Sequence, residues 1–382
     1  MKYEFSERLQ KLPPYLFAKL EEMTEVKRAQ GLDIIDFGIG DPDLPTPQPI
    51  IKALQDAVAD PANHNYSSSA GEKYLRKAVA DWYKVRFNVD VDPNTEVCVT
   101  IGSKEGIFNI SQAFVNPGEG IIAPSPGYPV YSGAACLFNE ADAATVPLRE
   151  DEGWLLNTDR CPKDAKMLYA NYPNNPTGAT CDLAYLKKVG NWCNDTDTIF
   201  CFDNAYSEMC FDGYMAPSAL EVDKNCIEFG SLSKTFNMTG YRIAYAVGNR
   251  DLVAGLKKCK SQIDSGAPKF IQKAAATALS MYTGRELPDI IKGNMRTYGE
   301  RREILVNGLR KLGFDVKMPK ATFYIWFNCG MGSTKFCEDM LDLGIVVTPG
   351  NGFGKSADGY VRMTVTQPKE RIKEALDRMR NR

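Results

Sequence analysis

In SLSKTFNMTGYR, residues 231–242, Lys234 is flanked by Ser231 and Ser233 and followed eight residues later by Arg242. The run comes directly after the apolar segment CIEFG. A lysine at the carboxyl end of a buried strand is partly desolvated, which lowers its pKa and makes it a usable nucleophile. An arginine with hydroxyls beside it suits a phosphate dianion. A solvated helix lysine is the plain alternative, and the residues at the ends of the other apolar segments decide between the two.

Three other segments end in residues that matter. After EVCVTI come Gly102, Ser103 and Lys104, opening a helix. Free amides at a helix N-terminus beside a glycine can cradle a phosphate, although alone they make an ordinary glycine turn with a serine cap. After KMLYA comes NYPNNPTG, where two prolines and a glycine bracket Asn175 in a tight turn at a strand end. After TIFCF come Asp203 and Tyr206. An acid leaving an apolar strand is part-buried and needs a partner, either a protein cation or a protonated ring nitrogen. Together these ends call for a ligand with a phosphate, a ring nitrogen that wants an acid and an aldehyde that wants a lysine. That ligand is pyridoxal 5'-phosphate.

The elements that must hold these residues follow from the pattern. EVCVTIG, GIIAP, KMLYAN, TIFCFDN, CIEFGS and RIAYAVGN read as buried strands. SKEGIFNISQAF reads as a helix with Ile107, Ile110 and Phe114 on one face, and another places Leu183, Leu186 and Val189 in phase. Alternating strands and helices with continuous apolar strands mean an α/β fold with a mostly parallel sheet, whose ligands sit at the carboxyl ends of the strands. Residues 1–45 read as a helix, a short strand and the Pro-rich loop GIGDPDLPTPQP. Long helices begin near residue 265, and ATFYIWFN, GIVVTPG and GYVRMTV follow as strands of a smaller α+β domain, closed by the helix PKERIKEALDRMR.

Composition narrows the chemistry. A chain of 382 residues suggests two domains, and its 44% hydrophobic and 25% charged content is ordinary for a globular enzyme. The net charge of −2 offers no basic field for nucleic acid or an anionic membrane. No apolar run has the length of a transmembrane helix, and MKYEFSERLQKLPPYLF lacks the apolar core of a signal peptide, so a cytoplasmic protein is expected. The eleven cysteines are irregularly spaced, with no Cys-x-x-Cys pair, and read as buried reduced thiols rather than disulfides or metal ligands. His64 is the one histidine, so a multi-histidine metal site is impossible, a Ser-His-Asp triad would need His64 itself, and a base is expected among Lys, Asp, Glu and Tyr. Difficult chemistry on such a chain needs an organic cofactor.

Over essentially its whole length the chain resembles the fold-type I, class I/II aminotransferases. The matching pieces, in family order, are GIGDPDLPTP, NYSSSAGEKYLRKAVADWY, GSKEG, PSPGYPVY, NYPNNPTG, DNAYSEM, SLSKTFNMTGYR and YVRMTV. The resemblance implies a large cofactor-binding domain over residues 46–270 and a small domain made of 1–45 and 271–382. It implies that Lys234 takes the cofactor aldehyde and then shuttles the substrate proton, and that Asp203 keeps the pyridine nitrogen protonated. Tyr206 and Asn175 would bond the ring hydroxyl oxygen, and Tyr128 would stack on the ring. Ser103 and Lys104 (through backbone amides), Ser231, Ser233 and Arg242 would hold the phosphate. Arg362 would grip the substrate α-carboxylate, with Asn175 and the Gly40 loop over it. Tyr66 would reach the phosphate of a partner subunit, since the family forms homodimers with shared active sites. No metal is implied.

Within the family, LPPYLF, GIGDPDLPTP, GSKEG, NYPNNPTG, SLSKTFNMTGYR and SQIDSG are similar to the LL-diaminopimelate aminotransferases. The implied reaction moves an amino group from LL-diaminopimelate to 2-oxoglutarate, in lysine biosynthesis. Tyr241, where that group often has tryptophan, and SGAPKFIQ depart from its pattern. Alanine or aspartate aminotransferases, and C–S lyases of the same fold, are the alternatives. In KCKSQIDSG, Lys260 and Ser265 are candidates for contacts to the distal end of the substrate. NGFGKS ends like a phosphate-binding loop, but Pro349 stands where that motif needs its first glycine. NDT and NMT match glycosylation sequons by pattern alone. A non-catalytic DNA-binding relative would carry a basic N-terminal module, and the family match begins near the start of this sequence.

Overall fold

The computed structural model describes residues 3–12 and 16–381, with the side chains of 16–20 left out. Pro13, Pro14 and Tyr15 of LPPYLF lie outside the described residues. The central feature is a seven-stranded sheet. Its strands are β1 (Val97–Thr100), β2 (Gly120–Ser125), β3 (Asp142–Pro147), β4 (Met167–Asn171), β5 (Ile199–Asp203), β6 (Ile227–Ser231) and β7 (Ala244–Gly248). Their spatial order is β1-β7-β6-β5-β4-β2-β3, and only β7 runs antiparallel to its neighbours. This is the fold-type I architecture: α/β, with a mostly parallel sheet flanked by helices.

The inner strands are mostly apolar because both faces of the sheet are covered. Met167, Tyr169, Cys201, Ile227 and Phe229 face a core formed with Ile107 and Ile110 of the helix Ser103–Phe114. Their alternate neighbours, Leu168, Ala170, Phe200 and Phe202, face a second core formed with Leu186 and Val189. Burying each of these large side chains contributes about 1.5–3 kcal/mol, so the strand ends are fixed in place by their own middles. Leu183 is more exposed than its helical phase suggests, because it opens the first turn of Leu183–Asp195.

Six of these strands match the apolar segments of the sequence, and β3 does not. DAATVP lies at the sheet edge with half of its residues exposed, so it carries no apolar run.

A smaller three-stranded antiparallel sheet joins β8 (Tyr324–Asn328), β9 (Thr348–Pro349) and β10 (Tyr360–Thr364) in the order β9-β10-β8. The segment GIVVTPG divides: Ile345–Val346 pairs in parallel with Ile35–Asp36, and only Thr348–Pro349 joins β10. The Gly38–Pro47 loop therefore leaves the Ile35–Asp36 strand beside β9 and β10. The helix Lys269–Ser280 packs on Gln48–Ala59 and Lys73–Phe87, and Asp289–Lys311 packs on the final helix Lys369–Arg380. All eleven cysteines are free; nine are buried and Cys210 and Cys259 are half-buried. No helix among the described residues is long and apolar enough to cross a membrane.

Candidate active site

The carboxyl ends of β4, β5 and β6 converge. Register places Asn171 opposite Asp203, and Asp203 opposite Phe229, two residues before the end of β6. Asn171 ties two of these ends together: its Nδ2 donates to Asp203 O (2.8 Å), and its Oδ1 accepts from Asn175 N (2.8 Å). The NYPNNPTG turn is thus fastened to the strand beside it.

Asp203 is 5% exposed. Its Oδ2 accepts a 2.6 Å hydrogen bond from the Tyr131 hydroxyl, while Oδ1 is buried with no partner among the described residues. Burial raises its pKa to about 6, and the bond from Tyr131 offsets part of that shift. Tyr131 is itself buried and stacked on Tyr169, with ring centroids 5.0 Å apart. Tyr128 meets Tyr131 edge-on at 5.8 Å, and the Lys104 ammonium lies 6.0 Å from the Tyr128 ring centroid.

Lys234 sits in the single turn Leu232–Thr235 that follows β6. Ser231 caps this turn, its Oγ accepting from Ser233 N (3.2 Å). The Lys234 side chain reaches across to donate to Gly40 O (2.6 Å). Desolvation lowers its pKa to about 8; Asp41 opposes the shift, and Arg362 and Arg242 add to it. Its nitrogen also lies 5.8 Å from the Phe323 ring centroid.

Arg362 on β10 is 5% exposed. Its Nη1 donates to Asn175 Oδ1 (2.8 Å), and its Nη2 to Gly38 O (2.9 Å) and more weakly to Thr348 Oγ1 (3.4 Å). Its Nε is buried and has no partner among the described residues. Tyr324 and Phe353 both pack against the guanidinium, with ring centroids 4.4 and 4.9 Å away. The Tyr324 hydroxyl is 2.7 Å from that of Tyr206, whose own ionisation burial pushes well above the ordinary tyrosine range. A Cβ added to Gly40 would come 2.7 Å from Tyr324 Oη, so this position has to be glycine for the loop to lie so close.

On the far side, Gly102 leads into the helix Ser103–Phe114. The amides of Ser103 and Lys104 precede the first helical bond, which Glu105 N makes to Gly102 O (3.2 Å). Arg242 extends over this turn: a Cβ on Gly102 would lie 2.6 Å from its Nη2. Arg242 Nη1 is steadied by Thr239 O (2.8 Å).

The structure therefore bonds Lys234 to Gly40 and Arg362 to Asn175, joins Asn175 to Asp203 through Asn171, and brings Tyr206 to Arg362 through Tyr324. It sets Ser103, Lys104 and Arg242 around one helix start, with Ser231 and Ser233 at the turn that carries Lys234. Tyr66 stands apart at 88% exposure. Ser265 is exposed as well. Lys260 is not a distal contact: it is wholly buried and ion-paired with Glu105 and Asp264, which uses its charge inside the protein. Sequence reasoning missed Tyr131, Tyr324 and Phe353. Tyr131 closes the run PSPGYPVY, and Tyr324 lies in ATFYIWFN, so both were in view without a role.

These residues suit pyridoxal phosphate. The orphaned Asp203 oxygen wants a cationic N–H, the helix start beneath Arg242 suits a phosphate, and a lysine of lowered pKa stands in the turn that follows β6.

Comparison with known proteins agrees. Residues 32–379 match the family model described as aminotransferase class I and II. The LL-diaminopimelate aminotransferase of Aquifex aeolicus is 47% identical over 390 residues, covering 99% of both chains. That of Syntrophobacter fumaroxidans is 44% identical, covering 100% of this chain and 99% of its own. Among solved structures, substrate-bound BacF from Bacillus subtilis superposes with a TM-score of 0.93 at 32% identity, over 100% of this chain and 98% of that one. A Thermus thermophilus aspartate aminotransferase double mutant has a TM-score of 0.93 at 26% identity, over 99% and 100%.

Proposed function

The chain belongs to the aminotransferase class I and II family, and from this we propose that it transfers an amino group from LL-diaminopimelate to 2-oxoglutarate, in lysine biosynthesis. It is a pyridoxal phosphate-dependent aminotransferase. The observation that carries the chemistry is the Asp203 carboxylate, buried and bonded at one oxygen with the other left over. The choice of substrate is supported by relatives of that name matching the chain end to end.

When bound, pyridoxal phosphate supplies an aldehyde for the amine and a pyridinium ring that withdraws electrons from the substrate α-carbon. The residues of this chain do the rest. Asp203 Oδ1 would hold the ring N–H and, being anionic above about pH 6, would keep the proton there. Tyr206 and Asn175 donate to the ring hydroxyl oxygen: Tyr324 can supply the hydrogen bond that frees the Tyr206 proton, and Asn175 keeps Nδ2 available because Arg362 uses its Oδ1. Tyr128 would pack on the ring. The amides of Ser103 and Lys104, with Ser231, Ser233 and Arg242, would hold the phosphate. Lys234 Nζ, half uncharged near pH 8, would take up the substrate α-proton and hold it for return. Arg362 presents a planar fork to the α-carboxylate under the Gly40 loop.

The same reading divides the chain into a large domain, 46–270, and a small domain formed by 1–45 and 271–382. It makes the enzyme a homodimer, with the exposed Tyr66 reaching the partner's phosphate. Eleven unpaired cysteines support a reducing, cytoplasmic setting.

Rapid mixing tests the substrate. The holoenzyme, without any keto acid, is mixed with LL-diaminopimelate, alanine, aspartate or glutamate while the cofactor absorbance is followed. Fast bleaching by LL-diaminopimelate and glutamate, with alanine and aspartate slow, is expected. No response to LL-diaminopimelate alongside a fast response to alanine or aspartate would discard the substrate and keep the chemistry.

A further inference from the structure

We infer that Lys260 is a positioning residue for the cofactor phosphate, holding the Gly102–Lys104 turn on one side and the Tyr66–Ser68 loop on the other. The inference rests on the assignment of pyridoxal phosphate to this site.

Lys260 ends the helix Arg250–Lys260 and is completely buried. Its Nζ meets Glu105 Oε1 and Oε2 (3.1 and 3.3 Å) and Asp264 Oδ2 (2.6 Å). None of the roles assigned to the reaction uses it. A buried ammonium persists only where paired charges compensate its desolvation, and these bonds are directional.

Each carboxylate carries the constraint outward. Glu105 Oε2 accepts from Ile101 N (2.9 Å), the amide just before Gly102, and its Oε1 accepts from Asn109 Nδ2 (2.5 Å). The orientation of Glu105 therefore sets the turn from β1 into the helix, and with it the amides of Ser103 and Lys104. On the other side, Asp264 Oδ1 accepts from Gly266 N (2.6 Å). Gly266 has φ +87°, and a Cβ there would come 2.2 Å from Ser68 O, so the Ser67–Ser68 backbone rests directly on it. Gln272 Nε2 fastens the same loop through Ser67 Oγ (2.8 Å). Tyr66 precedes this docked segment. Lys260 is thus the shared member of two supports that both end at phosphate-holding residues.

The groups facing the ring are held differently: Asp203 by Tyr131, Tyr206 by Tyr324 and Asn175 by Asn171. Loss of Lys260 should therefore weaken recognition of the phosphate and leave recognition of the ring nearly untouched.

The test measures binding of pyridoxal phosphate and of phosphate-free pyridoxal to the full-length protein, for wild type, Lys260→Met and Glu105→Gln. Glu105→Gln keeps an acceptor for Ile101 N and removes the charge that meets Lys260. The expected result is a loss of about tenfold or more for pyridoxal phosphate and a change within about twofold for pyridoxal, as one misdirected charge-assisted bond would give. Equal losses for both ligands, or no loss for either, would overturn the proposal. Should Lys260→Met fail to fold, Glu105→Gln decides by the same criterion. A wild type that captures neither ligand covalently would overturn the cofactor reading itself, a result distinct from the other two.

Discussion

The Tyr131 hydroxyl donates a 2.6 Å hydrogen bond to Asp203 Oδ2, and the second oxygen of the same carboxylate has no partner among the described residues. One oxygen is held so that the other is aimed. The phenol also keeps the acid stronger than its burial alone would make it, since the bond favours the ionised form.

Cofactor affinity is expected to fall as the pH drops below about 6, where Asp203 takes up a proton and no longer offers a charge to the ring nitrogen. Tyr131→Phe removes the group that lowers this pKa, so the fall should begin at a higher pH. Equilibrium binding across pH 5–8 checks both; an unmoved limb in the variant would show that Tyr131 does not tune Asp203.

The same carboxylate works against the cofactor-free fold. Its folded pKa, about 6, lies above the 3.8 of the unfolded chain, so its contribution is fully present below pH 3.8 and lost as the pH rises through 6. Asp203→Asn should therefore stabilise the cofactor-free protein near pH 7 by roughly 2–3 kcal/mol while abolishing turnover. The gain should shrink as the pH approaches 4. Urea unfolding at pH 7 and pH 5 measures it, and equal stability of the two proteins at pH 7 would contradict it.

With Lys234 at about pH 8, its uncharged, nucleophilic fraction grows with pH up to that point. The rate of covalent cofactor capture should rise about tenfold per pH unit below 8 and level off above it. An ordinary lysine would keep accelerating toward pH 10. Lys234→Ala should retain noncovalently bound cofactor, lose the absorbance of the lysine-linked form and lose nearly all turnover. Near-normal turnover in that variant is incompatible with the assignment.

Arg362→Lys keeps a positive charge but loses the fork that meets Asn175 Oδ1 and Gly38 O at once. The Michaelis constant for the amino acid should rise about tenfold to a hundredfold, the worth of one to two charge-assisted bonds. Steady-state kinetics with each amino donor would show a comparable rise for all, because the α-carboxylate is common to them. A rise confined to one donor would place Arg362 at the distal end of the substrate instead.

Much of this site could be read from local sequence. Asp203, Lys234 and the turn that holds Asn175 follow mostly apolar segments, and a parallel sheet covered on both faces brings such ends to one edge. Strand β3 escaped because an exposed edge strand needs no apolar run, and GIVVTPG looked like one strand because its apolar content continues through a change of partner. Roles set by a single long-range contact were not legible. Tyr131 is one of many aromatic residues until it meets Asp203, 72 residues away, and Tyr324 until it meets Tyr206, 118 residues away. Lys260 had the same spacing signals whether it faced a ligand or two carboxylates. By itself, the sequence determined the strand ends, the cofactor they call for and the family. Only the tertiary structure decided which buried polar atoms are paired and which are left over, because a hydrogen bond depends on where two side chains meet rather than on what precedes them in the chain.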